Sequence, residues 1–80
     1  MSSLYHATDF QTERRLSLVV VNAMGVDFEE VSVSLVGRRV VVRGMAPSYI
    51  AKAKATESLR RAGYADIENC LRVVPGLPAA

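Results

Sequence analysis

Residues 31–44, VSVSLVGRRVVVRG, contain two β-rich runs on either side of Gly37 and Arg38. Glycine at the first position of a two-residue loop is typical of a type II′ turn, because that position takes a positive φ angle. The turn pairs Val36 with Arg39 and sets every residue of the first strand opposite one residue of the second. The sequence therefore predicts an antiparallel β-hairpin at the centre of the fold.

The predicted hairpin has one apolar face and one mixed face, because side chains alternate along a strand. The core face carries Val31, Val33, Leu35, Val40 and Val42. The outer face carries Ser32, Ser34, Val36, Arg39, Val41 and Arg43. A hairpin alone is marginally stable in water, so this one requires a third strand and a covering layer.

A first helix is predicted over residues 9–24. Its apolar residues recur at helical spacing at Leu16, Val19, Val20 and Ala23, with Phe10 and Met24 extending the stripe. Glu13, Arg14 and Ser17 fall on the opposite side, which is expected to face solvent. Because residues 16–21, LSLVVV, are rich in β-branched side chains, a strand over this segment remains the alternative.

A second helix and a third strand are predicted after the hairpin. Ser48 is a candidate cap for the helix, which runs to about Ala62 and is ended by Gly63. Its buried stripe is expected at Ala51, Ala55, Leu59 and Ala62. Residues 67–74 alternate as a strand with Ile67, Leu71 and Val73 directed inward, and Asn69 interrupts that row.

These elements predict an α+β fold, an αββαβ sandwich in which a three-stranded mixed sheet has two helices packed on one face. The helical crossover places the third strand parallel either to the second strand or to the first. Residues 9–74 form the single predicted domain. Residues 1–8 are interpreted as a flexible N-terminal lead and residues 75–80 as a C-terminal tail.

The composition argues against several classes of function. The 80 residues include ten basic and eight acidic side chains, which give a net charge of +2. This charge alone does not indicate binding to nucleic acid. With Cys70 as the one cysteine, an intramolecular disulfide and a CxxC zinc site are excluded. The only histidine, His6, has no ligand partner nearby, and Tyr5, Tyr49 and Tyr64 have no acid or base companion. We therefore expect no metal, no cofactor and no catalytic residues, and we expect the tyrosine rings to pack.

The predicted compartment depends on how residues 14–25 are interpreted. Arg14 and Arg15 precede an apolar run that ends in a small-x-small pattern at Ala23, which resembles a signal peptide. Acidic residues in the leader and Asn22 within the apolar run argue against that interpretation. A cytoplasmic location is predicted, with the periplasm or cell envelope as the alternative if the chain is secreted or part of a longer protein. No apolar run is long enough to span a bilayer.

Two short motifs connect the chain to a known family. Val40, Val42 and Gly44 match a V-x-L-x-G run, and Ile67, Asn69, Leu71 and Val73 match a closing V-x-N-x-L-x-V run. On these positions, residues 9–74 resemble a BON domain, the module named for bacterial osmotically inducible and nodulation proteins. Gly37-Arg38 stands where the family has an Asn-Gly-like turn. The resemblance implies an αββαβ fold and non-catalytic binding of phospholipid membranes or other envelope components.

Two functional hypotheses follow from the sequence. The first is peripheral binding to an anionic phospholipid surface, for which the candidate residues are Arg38, Arg39, Arg43, Lys52, Lys54, Arg60 and Arg61. The second is a protein interaction or self-assembly module that uses the outer sheet face, with Val36 and Val41 as interface candidates, or a strand edge. Nucleic-acid binding is disfavoured, because the chain has no GxxG loop and no aromatic pair on a strand.

Overall fold

The computed structural model describes residues 7–77, which form two helices and three strands. The elements are α1 (Ala7–Met24), β1 (Val31–Val36), β2 (Arg39–Ala46), α2 (Tyr49–Arg61) and β3 (Ile67–Val73), with one turn of 3-10 helix at Phe28–Glu30. The predicted αββαβ order is confirmed, and residues 16–21 are helical rather than extended. Helix α1 begins two residues before its predicted start, and most of the predicted N-terminal lead lies outside the described residues.

The hairpin has the predicted register. Val36 pairs with Arg39 and Ser32 with Arg43, in an antiparallel ladder that runs on to the pair formed by Val31 and Gly44. Gly37 has a positive φ angle of 63°, as the first central residue of a type II′ turn requires. Arg38, the second central residue, does not have a positive φ, because only glycines do in the part of the chain described. Strand β3 pairs in parallel with β2, so the sheet order is β1-β2-β3 and β2 is central.

The core lies between the sheet and the two helices. Helix α1 packs on β1 and on α2, and α2 packs on β3. The buried apolar residues that form this cluster are Leu16, Val20, Val21, Met24, Val26, Val31, Val33, Val40, Val42, Ala46, Ala51, Ala55, Leu59 and Leu71. Leu77, which was predicted to lie in a C-terminal tail, packs against the same cluster.

The buried face of α1 is rotated from the predicted one. Ser17 was expected to face solvent, but its side chain is only 5% exposed. Its hydroxyl donates to the Glu13 carbonyl oxygen at 3.0 Å, so the helix itself satisfies the polar group and allows its burial. Phe10, which was placed on the apolar stripe, is exposed. The prediction was wrong here because α1 contacts β1 and α2 together, and two neighbours bury a different arc from the one that the apolar residues mark.

Helix α2 begins after Ser48, as the sequence predicts, and ends at Arg61, one residue before the predicted end. The Ser48 hydroxyl oxygen accepts from the Ala51 backbone N–H at 3.0 Å and caps the helix. Ala51, Ala55 and Leu59 are buried as expected. Ala62 is exposed, contrary to the prediction, because the last helical residue is Arg61 and Ala62 lies at the C-cap beside Gly63.

Asn69 fastens α2 to β3. Its side-chain amide donates to the Lys52 carbonyl oxygen at 2.9 Å and to the Thr56 hydroxyl at 2.8 Å. Its own side-chain oxygen accepts from the Leu71 N–H at 3.1 Å. The polar residue that interrupts the apolar row of β3 is therefore fully used, and it fixes where α2 lies along the strand.

Gly44 allows the chain to enter β1 close to β2. Its φ angle is 130°, and a Cβ atom added there would overlap the Glu30 carbonyl oxygen. Gly25 also has a positive φ, 73°, but an added Cβ would have no atom within 4 Å. Gly44 is therefore required both for its φ angle and for the close approach of the backbone at Glu30, whereas Gly25 is required for its φ angle alone.

We predict that Gly44→Ala lowers the free energy of unfolding by about 4 kcal/mol or more, because the backbone of residue 30 must move. Gly25→Ala, the control, is expected to cost only about 1 to 2 kcal/mol, the cost of a left-handed alanine. Urea denaturation monitored by circular dichroism measures both. Equal losses in the two variants would show that the approach of Glu30 to β2 is not a constraint.

Candidate functional site

The seven basic residues predicted to bind an anionic surface do not form one patch. Arg38 lies in the hairpin turn, and Arg39 and Arg43 project from the outer face of the sheet. Lys52, Lys54, Arg60 and Arg61 lie on α2, which covers the opposite face. Since α2 and the outer sheet face lie on opposite sides of the domain, one flat surface cannot meet both sets at once.

Ion pairs occupy part of the basic charge on the sheet face. The Arg39 Nε atom lies 3.3 Å from an Asp66 carboxylate oxygen, and an Arg39 Nη atom lies 3.2 Å from a Glu68 carboxylate oxygen. All three side chains are about half exposed, so each pair contributes about 0 to 1 kcal/mol to stability. These pairs nevertheless balance the positive charge of Arg39 locally.

The two interface candidates on the outer face differ in exposure. Val36 is 63% exposed, as expected beside the hairpin turn. Val41 is only 7% exposed, which corrects the expectation that it faces solvent. It lies on the central strand, opposite Ser34 of β1 and Glu68 of β3, and Arg39 and Arg43 precede and follow it on the same face. A residue at the centre of a sheet face has side chains on every side, which reduces its exposure.

The first turn of α2 carries two large apolar side chains in full view of solvent. Tyr49 is 77% exposed and Ile50 is 70% exposed, the highest values among the large hydrophobic side chains that the structure describes as exposed. Sequence reasoning expected Tyr49 to pack. The signal was present in the helical spacing, because at 100° per residue Tyr49 and Ile50 point about 120° and 140° away from the buried Ala55.

Basic residues share this outward side of α2. Lys54, Arg60 and Arg61 are exposed, while Lys52 is half-buried beside β3. The single acid of the helix, Glu57, lies 3.4 Å from an Arg61 Nη atom, and both side chains are mostly exposed. We call the set Tyr49, Ile50, Lys54, Arg60 and Arg61 the α2 face. It combines an apolar end with three basic side chains, which outnumber the one acid on the same side, Glu57.

The described residues show no grouping suited to metal binding. Among them, no three His, Cys, Asp or Glu side chains lie close enough to hold a metal ion. Cys70 lies on the outer face of β3, exposed, with its sulfur 3.4 Å from a Glu68 carboxylate oxygen. None of the helices within residues 7–77 has the length and apolar character needed to cross a membrane.

Comparison with known proteins adds no relative. No protein-family model matches the chain, and no curated protein matches it. The resemblance to BON domains therefore rests on the short motifs in β2 and β3 and on the order of the elements.

The exposure of Tyr49 and Ile50 predicts that neither residue stabilises the fold. We expect Tyr49→Ser and Ile50→Ser each to change the free energy of unfolding by no more than about 0.5 kcal/mol. Leu59→Ala, on the buried side of the same helix, is expected to cost about 2 to 5 kcal/mol. Guanidinium denaturation compares the three variants, and a large loss for either serine variant would mean that these side chains pack in solution.

Proposed function

We propose that this chain is a non-catalytic binding module that attaches peripherally to anionic phospholipid surfaces through the α2 face. The observation that carries the proposal is the pair Tyr49 and Ile50, both largely exposed on the helix that carries Lys54, Arg60 and Arg61. Exposed apolar side chains beside basic ones are what a membrane interface recognises. Binding of phospholipid is also what the resemblance to BON domains implies.

The apolar end of the α2 face supplies the part of the binding energy that does not depend on charge. Burying one isoleucine side chain contributes about 1.5 to 3 kcal/mol when burial is complete. Tyrosine suits the level of the headgroups, because its ring is apolar and its hydroxyl remains hydrated. Tyr49 and Ile50 point about 100° apart around the helix, so both reach the interface when the lipid surface lies between their two directions, on the outward side of α2.

The basic part of the α2 face supplies the preference for anionic lipid. Each Lys or Arg near a negatively charged leaflet contributes about 1 kcal/mol, and the interaction weakens within a Debye length of about 8 Å at physiological salt. Helix α2 has 13 residues, so Tyr49 and Arg61 are separated by about 18 Å along its axis. A helix lying flat on the surface brings both ends into contact with lipid.

The outer sheet face is the weaker candidate for this role. Its Arg39 is paired with two acids, Asp66 and Glu68, whereas Arg61 of the α2 face is paired with one, Glu57. Val41 is buried, so it is not available as an apolar contact. Arg43 and Arg72 remain there without a salt bridge among the described residues, but Val36, the large apolar side chain exposed on that face, lies at the other end of the hairpin, opposite Arg39. We place the binding in the cytoplasm, the compartment predicted from the sequence, where the inner leaflet is anionic.

Vesicle co-sedimentation tests the proposal. With vesicles containing about 30% anionic lipid, we expect binding of the intact chain at low salt that is lost at high salt, and little binding to zwitterionic vesicles. The double variant Tyr49→Ser/Ile50→Ser should bind at least about tenfold more weakly, because the transfer of two apolar side chains is removed. The double variant Lys54→Glu/Arg60→Glu should lose the preference for anionic lipid.

Matched controls lie on the other side of the domain. Val36→Ser removes an exposed apolar side chain, and Arg43→Glu/Arg72→Glu reverses two charges, all on the outer sheet face. Both controls should retain most of the binding. If the sheet-face variants lose binding while the α2 variants keep it, or if the intact chain ignores anionic vesicles at low salt, the proposal is wrong.

A further inference from the structure

A cleft lies at the end of the domain where the hairpin turn lies beside the loop between α2 and β3. Leu35, Gly37 and Arg38 line one side of it, and residues 63–66 line the other. Its volume of about 570 Å³ is typical of a small-molecule site, for which the usual range is about 300 to 1,000 Å³. We call it the end cleft, and none of the five residues of the α2 face lines it.

Two apolar side chains in the lining of the end cleft are held in place by the fold. Leu35 and Tyr64 both pack against the hydrophobic core, and both remain partly exposed. The Tyr64 N–H donates to the Leu59 carbonyl oxygen at 3.1 Å. The Gly63 N–H donates to the Arg60 carbonyl oxygen at 3.0 Å, which completes a Schellman motif at the end of α2. The apolar surface is therefore preformed, as it is in most ligand sites.

The lining of the end cleft carries one charge of each sign, and only the positive one has no partner. Arg38 is exposed and forms no ion pair within residues 7–77. Asp66 is paired, since its carboxylate oxygen lies 3.3 Å from the Arg39 Nε atom. The backbone N–H groups of Gly37 and Arg38 donate to no acceptor in the same part of the chain. One cation and two N–H donors are therefore available to an anion at the hairpin turn.

We infer that the end cleft binds a small organic anion with an apolar body, such as a medium-chain carboxylate. The apolar body lies against Leu35 and Tyr64, which removes the exposed part of both side chains from water. The Arg38 guanidinium meets the carboxylate, with which it can form two parallel hydrogen bonds. This binding goes beyond the attachment to lipid proposed for the α2 face, and it requires no membrane.

Charge decides which apolar ligands the end cleft accepts. An amine of the same length is repelled by the unpaired Arg38, and the Asp66 carboxylate that could attract it is already bound to Arg39. An alcohol of the same length keeps the apolar contacts but loses the charge of the carboxylate. Because the cleft is open to solvent, the ion pair with Arg38 is partly screened and the binding is weak. The expected order of affinity is therefore carboxylate, then alcohol, then amine.

Titration of the 15N-labelled chain with octanoate, followed by two-dimensional NMR, tests the inference. We expect the amide signals of Gly37, Gly63 and Ala65 to shift together and to saturate with one dissociation constant of about 1 mM or below. Octylammonium, which has the same apolar body and the opposite charge, should bind about tenfold more weakly. The variant Tyr49→Ser/Ile50→Ser should bind octanoate unchanged, so failure of this test is distinguishable from failure of lipid binding by the α2 face.

Two pairs of variants identify the site. Arg38→Glu should reverse the preference, so that octylammonium binds more tightly than octanoate, whereas Arg43→Glu makes the same change of charge on the outer sheet face and should leave the preference as it was. Ala65→Trp, at an exposed residue of the lining, should fill the cleft and weaken octanoate binding at least about tenfold. Ala62→Trp, at an exposed residue outside the lining, is its control. Circular dichroism checks that each variant is folded.

The same titrations can overturn the inference. It is wrong if the signals of Gly37, Gly63 and Ala65 do not move with octanoate up to about 10 mM. It is also wrong if octanoate and octylammonium bind equally well, or if Ala65→Trp binds octanoate as Ala62→Trp does. Shifts centred on the first turn of α2 would assign octanoate to the α2 face and exclude the end cleft as its site.

Discussion

The pairing register between β1 and β2 is the constraint on which the rest of the structure depends. Side chains alternate in direction along a strand, and backbone N–H groups alternate as well, so one register determines both patterns. In β1 the residues that send their side chains into the core, such as Val33, are also those whose backbone groups leave the sheet at the free edge. The turn at Gly37 therefore determines the core, the position of the arginines and the chemistry of the edge together.

At each edge of the sheet, a polar side chain accepts a hydrogen bond from an outward-facing backbone N–H group. On β1, the outward N–H of Leu35 is held by Glu13 from α1. On β3, the outward N–H of Leu71 is held by Asn69, whose amide also reaches α2. Each helix is thus tied to one edge strand by a residue that also occupies an edge amide. The same bonds that orient the helix layer reduce the tendency of the edges to recruit other chains.

The elements that could be predicted from sequence are those with a local signal. The hairpin register followed from Gly37 and the alternation of valines, and the bounds of α2 followed from Ser48 and Gly63. The burial of Ser17 could not be predicted, because it depends on how α1 is rotated between β1 and α2. The burial of Val41 depends on its place at the centre of the sheet, among residues of β1, β3 and its own strand. The helical spacing of α2 already placed Tyr49 and Ile50 away from its buried stripe. Tyr49 was nevertheless expected to pack, because large aromatic rings usually do.

The two motifs that resemble the BON family, in β2 and β3, contain residues with structural roles. Gly44 ends the first motif, where the backbone of Glu30 lies against it. Asn69 stands in the second motif, where it joins β3 to α2. Both residues are therefore explained by the fold, and the surface that we propose binds lipid lies elsewhere, on α2.

The bond from Asn69 to the carbonyl of Lys52 has a mechanical consequence. It attaches α2 at Lys52, in the first half of the helix, and Thr56, one turn further on, supplies a second point of attachment to the same side chain. Two hydrogen bonds to one side of the helix oppose its translation along its axis and its rotation about that axis. The outward side of α2 therefore keeps a fixed orientation relative to the sheet. A binding partner of α2 must adapt its own surface to that orientation.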